Sequence, residues 1–508
     1  MTSLHIRSQP INTFPRHWLW LLATLLGWGA QAHVPVPVPL QVRSIDLLAE
    51  SAHEMPLSGH KLGYRAQVSQ VVLQNGPGPP AATVFLTSYR ATENREERPV
   101  VFVFNGGPGS ASAWLQMGLL GPRLLRFPDT PNQQLRPPYE LYDNPDPLFE
   151  VADLVFVDPV GTGFARLLDA AAADQVWSSD GDAAYIANVI RFWLRSNARH
   201  LNQTYLIGES YGAQRAVDVA YRLACRDHDP TCAPVRVRGV VLISQSIAMI
   251  NTTQRHNNDQ GIAAGLPTLA ALAWYHGKIA RRGRSVEEVV REAADFADRR
   301  YLPALFSGSD LPAAQRLRVA GTLASLTGIA RGDYLAHGLA LTKDEFRYRL
   351  LWAQGKVMDS ADGRFLSDRS SAGPQAEPID SQLVPAVSWA SAHMLMDVLG
   401  FHTAERYRMS VDEIGERWVY GEHLSYFTPY DYPGELNDLL DSDPAFEVLI
   451  AGGYYDTKAS YGADVFLVRH LEHRERVHCL HYEAGHMFYI DSGSRHAFAT
   501  ALRAFFHH

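Results

Sequence analysis

The chain has 508 residues and a net charge of −8, with 54 acidic against 46 basic side chains. The acidic surplus argues against nucleic acid as a partner, because phosphate binding needs basic surface. Three cysteines are too few for a disulfide scaffold, and the length suits a large domain carrying an insertion rather than one small core.

Residues 1–32 read as a signal peptide. Arg7, Arg16 and His17 precede the apolar run from Trp18 to Trp28, and Ala30-Gln31-Ala32 supplies a small-residue cleavage site. The run is short for a bilayer span and no later segment is apolar for long enough, so the mature chain is expected to be exported, periplasmic or secreted, without membrane insertion. Val34 to Pro39 alternates Val and Pro as a stiff leader. In an oxidising compartment Cys225 and Cys232 either bridge a short loop or stay apart, with Cys479 left free in a buried strand.

Gln67 to Gln74 and Thr83 to Tyr89 alternate like half-buried antiparallel strands, and Arg95 to Arg98 reads as a solvated charged turn. Pro99 to Phe104 is continuously apolar, as a strand covered on both faces would be, and ends in the glycine-rich Asn105-Gly106-Gly107-Pro108-Gly109-Ser110. Pro128 to Pro147 reads as an irregular loop, Asp153 to Asp158 as a covered strand, and Asp182 to Arg199 as a helix capped by Asp182. Thr204 to Ile207 then leads into Gly208-Glu209-Ser210-Tyr211-Gly212, followed by a helical pattern: the context of a nucleophile elbow, which holds a serine oxygen above a sheet.

After the strand Arg238 to Ile243 the strand signal vanishes over residues 246–444, where helical patterns run Leu269 to Ala280, Val286 to Arg300, Ala313 to Thr327, Lys343 to Gln354 and Ser388 to Leu399. The strand Phe446 to Ala451 ends near Asp456, and Arg476 to Tyr482 ends near His486 before a last helix, Arg495 to Phe506. Strands alternating with helices predict an α/β-hydrolase fold with a mostly parallel central sheet. Its core would be residues 33–245 and 445–508, with a helical cap insertion at 246–444. Trp274-Tyr275-His276 within that cap reads as core rather than as a sugar platform.

A serine hydroxyl needs a neighbouring base, and the base an orienting acid. Hydrolases with a nucleophile elbow supply these in the order Ser, Asp, His, which Ser210, Asp456 and His486 match. The oxyanion hole would be the backbone N–H groups of Tyr211 and Gly107, each worth on the order of 100- to 1,000-fold in rate. The glycine loop lacks the lysine of a phosphate loop. His470, His473, His478, His481 and His486 cluster with Cys479, but no pair sits as H-E-x-x-H and alternation puts His478 and Cys479 on opposite faces of their strand, so no metal or other cofactor is expected.

Phe104 to Ser112, Gly208 to Gly212, Gly453 to Asp456 and Gly485-His486-Met487 resemble the serine carboxypeptidase family, and Leu266 to Lys278 looks like the cap of its bacterial branch. The resemblance implies removal of C-terminal residues from peptides through an acyl-enzyme, at acid pH. It further implies that Asn105, the N–H of Gly106 and Glu209 hold the substrate's terminal carboxylate, with Met487 lining the leaving-residue pocket. The family's second glutamate, which pairs with the one before the serine, corresponds here to Leu119. Ester or acyl-transfer chemistry on the same triad is the alternative, and a catalytically silent binding protein a third reading. The oligomeric state is not legible.

Overall fold

The computed structural model describes residues 40–57, 60–93, 98–128, 130–227, 232–247, 253–370, 377–420 and 431–506. The expected signal peptide, its leader and residues 95–97 of the charged turn lie outside them.

A nine-stranded sheet organises the chain. Its strands are β1 (Gln41–Leu57), β2 (His60–Gln74), β3 (Pro80–Ala91), β4 (Val100–Phe104), β5 (Asp153–Asp158), β6 (Thr204–Glu209), β7 (Val237–Ile243), β8 (Glu447–Gly453) and β9 (Val477–Tyr482). Their order is β1-β2-β3-β5-β4-β6-β7-β8-β9. Pairing is antiparallel from β1 to β5 and parallel from β5 to β9. This is the expected α/β architecture.

The continuous apolar runs form this sheet because both faces are covered. The relevant helices are α1 (Ser179–Ser196), α2 (Tyr211–Leu223), α3 (Asp259–Tyr275), α4 (Val286–Phe296), α5 (Ala313–Thr327), α6 (Pro378–His393), α7 (Tyr432–Ser442), α8 (Tyr461–His470) and α9 (Ser492–Phe505). On one face Val101, Val103, Tyr205 and Ile207 pack with Leu383 and Val387 of α6 and with Phe498 and Leu502 of α9. On the other, Val100, Phe102 and Leu206 pack with Ile186 of α1, Val217 of α2 and Leu436 of α7. Burying each such side chain stabilises the fold by about 1.5–3 kcal/mol before entropy is counted.

Several expectations are corrected. β3 is buried along nearly its whole length rather than half-buried, because both its faces are covered: Phe85 and Tyr89 enter the core on one side of the sheet, Val84 and Leu86 the core on the other. Arg98 is buried, not solvated, and pairs with Asp153 at 3.1 Å. Ser178, not Asp182, caps α1 by accepting from Gly181 N–H, and Asp182 sits fully buried in the first turn. Leu141–Asp143 within the expected loop pairs with Arg123–Leu125 as a short hairpin. Cys225 and Cys232 are joined, and Cys479 is half-buried with its thiol pushed up by burial.

The chain between β7 and β8 divides its helices among three cores. α3, α4 and α5 build one of their own around Leu266, Val290 and Leu323, reaching Tyr454 and Tyr455. α6 joins the sheet core beside α9, and α7 packs on the opposite face beside α2. A small hairpin, Lys356–Met358 with Leu366–Asp368, interrupts the helices.

Candidate active site

The strands β4, β6, β8 and β9 run parallel, so the loops leaving their carboxyl ends lie along one edge of the sheet. Asn105 and Gly106 follow β4, Ser210 follows β6, Asp456 follows β8 and His486 follows β9.

Ser210 stands between β6 and α2 at φ 59°, ψ −123°, a conformation that costs a non-glycine residue about 1–3 kcal/mol. The surroundings impose it: Ser210 N–H donates to Ile243 O at 2.9 Å, and its carbonyl accepts from Ala213 N–H at 3.0 Å. A Cβ on Gly106 would lie 2.6 Å from both Glu209 O and Tyr211 N, so only glycine lets this loop rest on the elbow. The contact brings the backbone of the glycine loop against the N–H of Tyr211.

His486 Nδ1 and Asp456 Oδ2 are 2.7 Å apart. The other carboxylate oxygen of Asp456 accepts from Lys458 N–H at 2.7 Å and Ala459 N–H at 2.9 Å, and Asp456 is wholly buried. Burial opposes a charged His486, but the Asp456 carboxylate and the hydrogen bond to it prevail, holding the imidazole above its usual range. Ser244 Oγ donates to His486 O at 2.6 Å and anchors the ring's backbone from beneath.

Glu209 is also buried, at 2% exposure. Its Oε2 accepts from the amide of Asn105 and, at 2.7 Å, from the hydroxyl of Tyr489. Burial pushes its carboxyl up to about 7, against the pull of His486 and these two donors, while Asp456 adds to the rise. Asn105 is itself fixed, its Oδ1 accepting from Leu115 N–H at 3.1 Å and its carbonyl from Arg215 Nη1 at 2.7 Å. Met487 is buried in the sheet core, and Leu119 lies buried in the turn Gln116–Leu120.

Three groups of residues were not legible beforehand. Arg215 and Asp182 form a fully buried ion pair under the elbow; α2 also buries Gln214 and Asp218, so Arg215 gave no isolated signal. Tyr489 stands two residues beyond Met487, just outside the expected Gly485-His486-Met487 motif. Finally, residues 359–364 splint the loops of Asp456 and His486. Ser360 O accepts from Thr457 Oγ1 at 2.6 Å, Ala361 O from His486 N–H at 2.7 Å, and Tyr455 O from Gly363 N–H at 3.1 Å. These are mostly main-chain bonds, which leave no residue signature.

The other candidate features have structural partners. His481 pairs with Asp464 at 2.9 Å and His473 with Asp441 at 2.7 Å. Trp274 donates to Arg284 O at 3.1 Å, and His276 Nε2 lies 2.8 Å from Gly363 O.

Residues 78–294 match the family model of serine carboxypeptidase, a stretch holding the glycine loop and the elbow. Over that stretch the chain is similar to the serine carboxypeptidase family. Asp456 and His486 lie beyond the matched stretch, and their placement rests on the geometry above. A prohormone-processing carboxypeptidase from Saccharomyces cerevisiae shares the fold, with a TM-score of 0.53 at 12% identity, over 87% of this chain and 91% of that one. A proline iminopeptidase from Mycobacterium smegmatis aligns with a TM-score of 0.34 at 13% identity, over 90% and 98% of the two chains. A carboxyl esterase from Bacillus coagulans aligns at 0.36 and 11%, over 90% and 97%. No curated protein sequence matches the chain. The family match supports peptidase activity.

Proposed function

We propose that the protein is an exported serine-type carboxypeptidase that removes C-terminal residues from peptides. In this reading Ser210 attacks the last peptide carbonyl as His486 takes its proton, and the N–H groups of Gly107 and Tyr211 hold the oxyanion. His486 then protonates the leaving amine, and water attacks the acyl-Ser210 ester by the same route. Asp456 keeps the imidazole tautomer and stabilises its charged form without itself accepting the proton. Asn105, the N–H of Gly106 and Glu209 bind the terminal carboxylate, with Met487 beside the leaving residue.

The observation that carries this reading is the buried Glu209 with its carboxyl near 7. A charged Glu209 would repel a terminal carboxylate, whereas the neutral acid donates a hydrogen bond to it. His486 must be neutral to act as base while Glu209 keeps its proton, so peptide cleavage follows a bell whose optimum is weakly acidic, and its limbs belong to the pair. The shared fold of the yeast prohormone-processing carboxypeptidase agrees with the reading. The Cys225–Cys232 bond supports an oxidising compartment and therefore export. Leu119, apolar where relatives carry a second glutamate, favours the second reading: ester or acyl-transfer chemistry on the same triad.

The test compares the purified protein with Ser210→Ala on a blocked dipeptide, its C-terminal amide and an aryl ester. Ser210-dependent preference for the free acid is expected. Turnover of the ester alone would support the second reading.

A further inference from the structure

Glu209 is the one carboxyl in the site that has to be both neutral and correctly aimed, and its surroundings are asymmetric. Asn105 from the loop after β4 and Tyr489 from the turn Phe488–Ile490 both reach the same oxygen, Oε2. No hydrogen bond from a described residue reaches Oε1. An oxygen already accepting two hydrogen bonds is a poor seat for a proton, because a proton there would face the incoming donor hydrogens.

The Tyr489 ring is itself fixed. It is wholly buried and lies against Gly118, where a Cβ would come within 2.6 Å of the ring. Gly118 immediately precedes Leu119, so the phenol approaches Glu209 across the turn Gln116–Leu120. A phenol differs from a carboxyl here: its own ionisation is driven far out of range by burial and by Glu209, so it only donates and never shares or competes for the proton.

We propose that Tyr489 is the positioning residue that pins the Glu209 proton to Oε1, from where it is offered to the terminal carboxylate of the substrate. The part concerning substrate rests on the carboxypeptidase reading; the part concerning the proton does not. The charged or titratable groups facing Glu209 are His486 and Asp456, from the loops after β9 and β8, besides Tyr489 and the neutral Asn105. A hydrogen bond donated to a carboxylate favours its ionised form, so removing the hydroxyl leaves Glu209 protonated to higher pH.

The test has two arms. The first titrates the protonated-carboxyl infrared band of Glu209, assigned by difference from Glu209→Gln, in the wild type, in Tyr489→Phe and with 3-fluorotyrosine at 489. Loss of the donor should raise the midpoint by about one pH unit, and the more acidic fluorophenol, which preserves packing, should lower it. The second arm measures kcat/KM for a free-acid dipeptide and its amide. With Tyr489→Phe, the alkaline limb for the free acid should move up with the midpoint, and KM at low pH should rise several-fold while kcat holds.

A midpoint that stays put in both variants overturns the proposal even where the wild type prefers the free acid. A wild type without that preference overturns the carboxypeptidase reading and the substrate part with it, while a moved midpoint still establishes the control of the proton. Both failing together removes both.

Discussion

Asp182 Oδ2 lies 2.6 Å from Arg215 Nε, with both side chains about 1% exposed beneath the elbow. The pair joins α1 to α2, and Arg215 extends the link to Asn105 O in the glycine loop. Removing one partner strands an uncompensated buried charge, so Arg215→Ala or Asp182→Ala should cost about 3–5 kcal/mol in unfolding free energy. Urea denaturation checks this. A loss below 1 kcal/mol would mean that the elbow does not depend on the pair.

Asp456 orients His486 through one hydrogen bond while two backbone N–H groups hold its other oxygen. Asp456→Asn keeps the shape but offers the wrong tautomer. Its kcat should fall roughly 10,000-fold on every substrate, as in other Ser-His-Asp enzymes, with KM little changed. Steady-state kinetics on an aryl ester decides it.

Glu209→Gln separates donation from titration. Glutamine still donates a hydrogen bond but cannot ionise, so the fall in free-acid kcat/KM above about pH 7 should vanish while the ascending limb, set by His486, remains. An identical descending limb in variant and wild type would remove Glu209 from substrate recognition.

The buried carboxyls also set the pH dependence of stability. Burial lifts Asp158 from 3.8 to about 6, against the hydrogen bonds from Ser112 and Tyr407, and lifts Asp359 and Glu209 to about 7. A carboxyl whose pKa is raised by folding stabilises the fold fully below its unfolded pKa, and that contribution is lost as pH rises through the folded value. His486, held above its usual range, acts in the same direction. Unfolding free energy should therefore decline between about pH 4 and pH 7, and Asp158→Asn should flatten the decline. A stability that rises over this window would contradict the burial of these groups as neutral acids.

The legible parts of the molecule were those where one local rule decides the outcome. β4, β5, β6 and β8 are covered on both faces and so read as unbroken apolar runs, and the residues after β4, β6 and β8 carry the chemistry. β1 escaped notice because it is largely exposed, with polar residues on both sides and no alternation to detect. The Asp182–Arg215 pair joins residues on different helices, and the 359–364 splint works through carbonyls that any side chain would provide. Of α6 only the part from Ser388 onward is legible among the expected helical patterns, and α7 is not. Which core each helix enters depends on partners distant in the chain.

The central claim is that a neutral Glu209 recognises a terminal carboxylate, and the most direct measurement is the ratio of kcat/KM for a blocked dipeptide to that for its C-terminal amide as pH is raised from 5 to 8. The account predicts a ratio well above one at pH 5 that falls about tenfold per pH unit above pH 7, where Glu209 ionises. A ratio near one throughout, or one that rises with pH, would contradict it.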